Sequence, residues 1–137
     1  EWMRERGFLE EKPICAGDLV KNHSDKPLVT LFAEELVSHA VAKMRKFGIS
    51  QIPVIKEGEN IGSVDDSHMY ELLVEKPELK NAAISSIMQD PFPIVSEETS
   101  IEKLCKLINK DTSAVLVKLS NGKKHIVTRY DVIQAMS

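Results

Sequence analysis

Thr128, Arg129, Tyr130 and Asp131 follow directly on a strand-like run at 125–127. A threonine and an aspartate three residues apart at a helix start can do one of two things. They can hold a ligand, because backbone amides at a helix start favour an anion, a threonine hydroxyl can bond a phosphate or carboxylate, and the Arg129 guanidinium suits a phosphate. Or they can bond each other, since Thr128-x-x-Asp131 is a close relative of a capping box with Thr128 as N-cap. Earlier in the chain the corresponding place reads Asp65-Asp66-Ser67-His68. A negative Asp65 would repel phosphate, and His68 has no carboxylate to offer a diol. One constellation kept and the other lost point to a pseudo-symmetric module with two clefts, one of them equipped for a ligand. The other is expected to be empty or used for packing.

Other chemistry finds little support. His23 and His39 have no spacing to either cysteine that suggests zinc or a Cys-His pair. No G-x-x-x-x-G-K loop is present. Glu34-Glu35 and Glu97-Glu98 precede helices and fit the helix dipole better than acid-base work, so no intrinsic catalysis is expected. The 137 residues suffice for one compact domain or two fused halves. A net charge of -3 without a basic stripe gives no reason to expect nucleic acid. No apolar run reaches the length of a membrane helix and the start lacks a signal-peptide core, so a soluble, cytoplasmic protein is expected. Cys15 and Cys105 fall on amphipathic segments and are expected to be small buried hydrophobes in a reducing compartment.

The elements that must position these residues come in a repeated order. Residues 1–10 read as a short helix with Trp2, Met3 and Phe8 as apolar contacts, leading to a Lys12-Pro13 stop. Then come a helical turn at 15–20, an extended piece at 28–31 and a helix over 34–47, whose stripe is Leu36, Val37, Ala40, Val41 and Met44. Phe47 is expected as a core aromatic and Gly48 as the helix stop. Strands at 51–55 and 61–64, joined by a polar turn, precede a helix over 67–74. The second half repeats this: a turn at 84–88, an extended piece at 93–95, a helix over 100–109 with the stripe Ile101, Leu104, Cys105 and Ile108, strands at 114–119 and 125–127, and a closing helix over 130–136. Val37 matches Ile101, Ala40 matches Leu104 and His68 matches Asp131 at an offset of 63 or 64 residues. Each half alone would leave a sheet face exposed, so the halves should pack together.

The phrase Lys46-Phe47-Gly48-Ile49-Ser50-Gln51-Ile52-Pro53-Val54-Ile55 and the terminal Ile126-Val127-Thr128-Arg129-Tyr130-Asp131-Val132-Ile133, set in that order, resemble a tandem pair of CBS domains. The resemblance implies an α+β fold, two β-α-β-β-α CBS repeats packed as a pseudo-two-fold pair. Its parts would be a connector at 1–13, repeat 1 at 14–80 and repeat 2 at 81–137. It also implies a regulatory role: binding AMP, ATP or S-adenosylmethionine between the repeats. The matching site uses Thr128, Arg129 and Asp131 with Ile49, Ser50, Gln51 and Ile52. Asp131 would accept from the ribose hydroxyls, strand-edge groups near Gln51 would read the adenine edge, and Ile49 and Ile52 would contact its face. The opening Glu1-Trp2-Met3-Arg4-Glu5-Arg6-Gly7-Phe8-Leu9 resembles the segment that joins the catalytic domain of a pyridoxal-phosphate-dependent cystathionine β-synthase to its C-terminal module. That implies a catalytic domain of the same chain as partner, with pyridoxal phosphate held there, and a homodimer through the CBS pair. The alternative is a ligand-free module that only assembles its parent enzyme. One position departs from the family: His125 stands where a glycine is usual and where the first repeat has Gly62. It either faces solvent or fills the cleft.

Overall fold

The structure, a computed structural model, describes residues 14–21 and 28–136. The helix and connector expected at 1–13 and His23 lie outside the described residues. Chain order is α1 (Ala16–Val20), β1 (Leu31–Phe32), α2 (Val37–Phe47), β2 (Gln51–Lys56), β3 (Glu59–Asp65), α3 (Asp66–Glu75), β4 (Ile94–Ser96), α4 (Ile101–Leu107), β5 (Ala114–Lys118), β6 (Lys124–Thr128) and α5 (Arg129–Ala135). Two single 3-10 turns, Pro77–Asn81 and Ile84–Ser86, join the halves. The fold is mixed α+β, with two three-stranded sheets ordered β1-β2-β3 and β4-β5-β6. In each, a parallel edge strand flanks an antiparallel hairpin.

Local chemistry sets most boundaries. Gly48, at φ 63, ends α2 by sending its N–H to the carbonyl of Met44, a backbone region that glycine enters freely. The stripes are narrower than the spacing suggests. Leu36 is the N-cap of α2 and half exposed, Phe47 is 49% exposed rather than in the core, and Cys105 is exposed. Cys15 is also not a buried hydrophobe: it caps α1, its N–H donating to Asp18 Oδ2 at 3.0 Å. Helix α4 stops at Leu107, short of the expected 109, and residues 109–112 close an Asx turn in which Asn109 Oδ1 accepts the N–H groups of Asp111 and Thr112.

The two cores are built across the halves. Leu31, Val37, Ala40, Ile52, Val54, Val64 and Met69 of the first half take in Ile84 and Ile87. Leu104, Val115, Val117, Val127 and Val132 of the second take in Ala16, Leu19 and Val20 from α1. Thus the turn that opens each half is packed in the other. Matching backbone bonds seat both turns: Ala16 N–H donates to Thr99 O and Gly17 N–H to Glu97 O, as Ile84 N–H donates to Glu35 O and Ser85 N–H to Ala33 O. The returning bonds match too, Ile101 to Ile14 O and Val37 to Ala82 O. These pairs are the signature of a pseudo-two-fold axis.

The segment after Ile87 ties the sheets together. Gln89 pairs with Ser63 on the free edge of β3, Ser63 Oγ donates to Asp90 O at 2.6 Å, and Asn60 Nδ2 donates to Phe92 O at 3.2 Å. Phe92 then packs with Ala114 and Leu116 on the sheet face opposite the second helical core. The approach at Gly62 is close: a Cβ would lie 2.5 Å from Met88 Sδ and 3.0 Å from Gln89 O, so any larger residue obliges the Met88 side chain to shift.

Because the cores are shared, Leu19→Ala and Ile84→Ala should each cost about 2–5 kcal/mol, the usual loss for truncating a buried aliphatic chain. Native-state hydrogen exchange checks where the loss falls. Leu19→Ala is expected to deprotect β5 and β6, and Ile84→Ala to deprotect β2 and β3.

Candidate functional site

Strand alternation and helix starts decide where the residues singled out above end up. Thr128 is the last residue of β6 and the N-cap of α5, with extended φ and ψ of -110 and 173. Its N–H and its Oγ1–H both donate to Asp131 Oδ2, at 2.9 and 3.1 Å. The capping arrangement is therefore made, and it joins Thr128 and Asp131 into one half-buried polar unit. Asp65 occupies the corresponding corner of the first half and does the opposite: its own carboxylate accepts the N–H of His68 at 2.8 Å. Both helix starts are served from the cap, by the Asp65 carboxylate in one and the Thr128 hydroxyl in the other, where Asp131 adds the reciprocal bond to the Thr128 N–H.

Arg129 is exposed and sends Nη2 to the carbonyl of Asn109 at 2.9 Å, which pins the turn between α4 and β5. Ile49 is half-buried at the rim of the first core, and Ile52 is fully buried within it. Gln51 is half-buried and lies across from Asp65, while the carbonyl of Ser50 accepts the N–H of Asp66. Strand register thus ties 49–52 to the Asp65 corner and ties Ala114 to Thr128. It does not pair the two predicted segments with each other.

His125 is 7% exposed, so it does not face solvent. It lies across from Val117, and alternation along β6 puts it on the Val127 face, toward the second core and opposite Thr128. Gly62, against which Met88 packs closely, thus has a bulky counterpart built into the other half.

Ser113 was missed. It is 8% exposed, and its Oγ has no hydrogen-bond partner among the described residues. It precedes Ala114, the cross-strand partner of Thr128. The signal was available, because the offset that carries Asp65 to Thr128 carries Ser50 to Ser113. Among the described residues no group of three or more His, Cys, Asp or Glu side chains could hold a metal ion, and no helix is long and apolar enough to cross a membrane.

Two α+β halves with exchanged opening turns and a polar corner at the end of each hairpin define a tandem-repeat module. The chain belongs to the CBS-domain family, with a CBS domain matched twice, over residues 16–75 and 84–137. It is 21% identical to a cystathionine β-synthase of Dictyostelium discoideum over 97% of this chain, and it spans about 30% of that enzyme's length. The fold is that of a CBS-domain-containing protein from Agrobacterium tumefaciens, with a TM-score of 0.80 at 14% identity, covering 95% of this chain and 98% of the other. It is also that of CBSX2 solved in complex with AMP, with a TM-score of 0.66 at 21% identity, covering 89% of this chain and 95% of the other.

Ser113→Ala removes a buried hydroxyl that has no partner, so it should stabilise the chain by on the order of 1 kcal/mol. Thermal unfolding would then move up by a few degrees. A loss of stability would mean that the hydroxyl has a partner in solution.

Proposed function

We propose that this chain is a regulatory module that senses an adenosyl compound and controls a catalytic domain in the same polypeptide. The observation that carries the reading is the Thr128–Asp131 unit, a half-buried carboxylate and hydroxyl present at one of two equivalent corners. A carboxylate there can accept from both hydroxyls of a ribose with a hydroxyl beside it, an arrangement the Asp65–His68 corner does not copy, because its aspartate stands at the cap itself and a histidine takes the place of Asp131. On the family resemblance Ile49, Ser50, Gln51 and Ile52 would be the complementary segment for the adenine, with Ile52, whose side chain is fully buried in the first core, offering backbone groups only, and Arg129 would leave Asn109 to meet a phosphate. The candidate ligands are AMP, ATP and S-adenosylmethionine. The attached enzyme on this reading is a pyridoxal-phosphate-dependent cystathionine β-synthase, supported by the likeness to the Dictyostelium enzyme and by the opening segment. Residues 1–13 then form the connector, 14–80 the first repeat and 81–137 the second.

The test is thermal unfolding with AMP, ADP, ATP and S-adenosylmethionine in turn, on the wild type, Asp131→Ala and Asp65→Ala. A ligand at 100 times its Kd adds about 2.7 kcal/mol, a shift of several degrees. Each variant loses a helix-start contact worth on the order of 1 kcal/mol, so baseline stability drops similarly in both. Only Asp131→Ala should lose the ligand shift. A wild type that ignores all four compounds at millimolar concentration sinks the sensing role.

A second reading, assembly of the parent enzyme through a homodimer, is favoured by one observation. Tyr70 and Val74 on α3 and Tyr130, Ile133 and Met136 at α5 are all more than 60% exposed. Large apolar side chains grouped on equivalent helices of the two halves suit a self-complementary interface. Ile133→Glu should yield a monomer by sedimentation with the fold intact. If the wild type is already monomeric at micromolar concentration, this reading fails.

A further inference from the structure

Helix α1 opens the first half in sequence yet is packed in the second, the half that carries Thr128 and Asp131. We propose that α1 is the output element of the module: occupancy of the Thr128–Asp131 corner sets how firmly α1 is seated, and that seating is what the residues N-terminal to α1 respond to. This rests on the sensing role above.

A helix of five residues has no stability of its own, since isolated helices shorter than about 12 residues are marginal in water. Helix α1 therefore exists because of its seat, and an element held that way has two natural states, docked and released. The seat is made by Ala16, Leu19 and Val20 in the second core and by the bonds of Ala16 and Gly17 to Thr99 O and Glu97 O. The approach at Gly17 is close: a Cβ there would be 3.1 Å from Glu97 O and 3.2 Å from Glu97 Cβ.

The wall of the seat includes the start of α5. Val132, 6% exposed, shares the core with Ala16, Leu19 and Val20 and is the residue next to Asp131. Asp131 Oδ2 takes both donors of Thr128, so a diol arriving at that carboxylate acts on the same turn that presents Val132. Helix α1 also packs on β6, whose last residue is Thr128. The opening turn of the other half, Ile84–Ser86, sits against the first core, where the corner is Asp65 and His68. The two turns are alike in backbone bonding and differ in which core they enter.

Binding and seating must be reciprocal: if AMP favours docked α1, then unseating α1 weakens AMP. Titration calorimetry with AMP on the wild type comes first. Gly17→Val, which puts a branched side chain against Glu97, should weaken AMP binding fivefold or more. Ser85→Val, the equivalent change at the other turn, should leave the affinity within twofold. In the wild type itself, AMP should slow hydrogen exchange at the amides of Ala16 and Gly17 and leave those of Ile84 and Ser85 unchanged. A wild type that binds AMP with no change in exchange at Ala16 and Gly17, or a folded Gly17→Val with unaltered affinity, overturns the output role alone. A wild type that takes up neither AMP nor, in the same titrations, ADP, ATP or S-adenosylmethionine overturns the sensing role and the output role with it.

Discussion

Everything in this structure depends on two short backbone exchanges, Ala16 and Gly17 against Thr99 and Glu97, and Ile84 and Ser85 against Glu35 and Ala33. Peptide groups buried at these junctions must be paired, and neither half can supply the partners alone. Once the bonds are made, Leu19 and Val20 fill the second helical core while Ile84 and Ile87 fill the first. A unit of half this length buries a smaller fraction of its surface and is correspondingly marginal. Sharing the opening turns makes the two halves a single cooperative structure, and it leaves the hairpin ends free to differ.

That freedom explains the two corners. A helix start needs its leading amides satisfied, and an aspartate can do so from the cap or from the third helical position. Asp65 does so from the cap, whereas in the other corner Thr128 holds the cap and Asp131 returns the bond to the Thr128 N–H. The structural demand is met equally, so the choice is open to other pressures. Where the carboxylate sits three residues in, the cap position can be a threonine, and a hydroxyl stands beside a carboxylate at the mouth of the hairpin.

The order of elements was legible because it is written twice and because hydrophobic period tracks burial in both copies. Alternation located the hairpins, and Gly48 marked the end of α2. What could not be read was depth. Phe47 and Cys105 fit an apolar stripe by spacing but lie at its edge, where neither is covered. His125 could be read either as facing solvent or as filling the cleft, and strand alternation instead turns it inward beside Val127. For the candidate site, Thr128 and Asp131 were found by type and spacing. The partner segment was harder, because register ties 49–52 to Asp65, and Ser113 emerges only when the repeat offset is followed through to β5. The exchange of opening turns has no local signature, since Ala16, Leu19 and Val20 would suit either core.

The stretch from Gln89 to Ser96 first lies along the outer edge of β3 and then becomes the edge strand of the second sheet, paired to β5 from Ile94 onward. Its two ends are thus registered against different sheets, with Phe92 buried between them. Such a segment works as a ruler. Adding or deleting a residue in it would turn one sheet's inward side chains outward, so this length is pinned, whereas at the hairpin turns a Cβ built on Gly58 or Gly122 has open space within 4 Å, and the tips can lengthen. Variation in chain length among proteins built this way should accordingly gather at the hairpin tips and spare the crossing between the sheets.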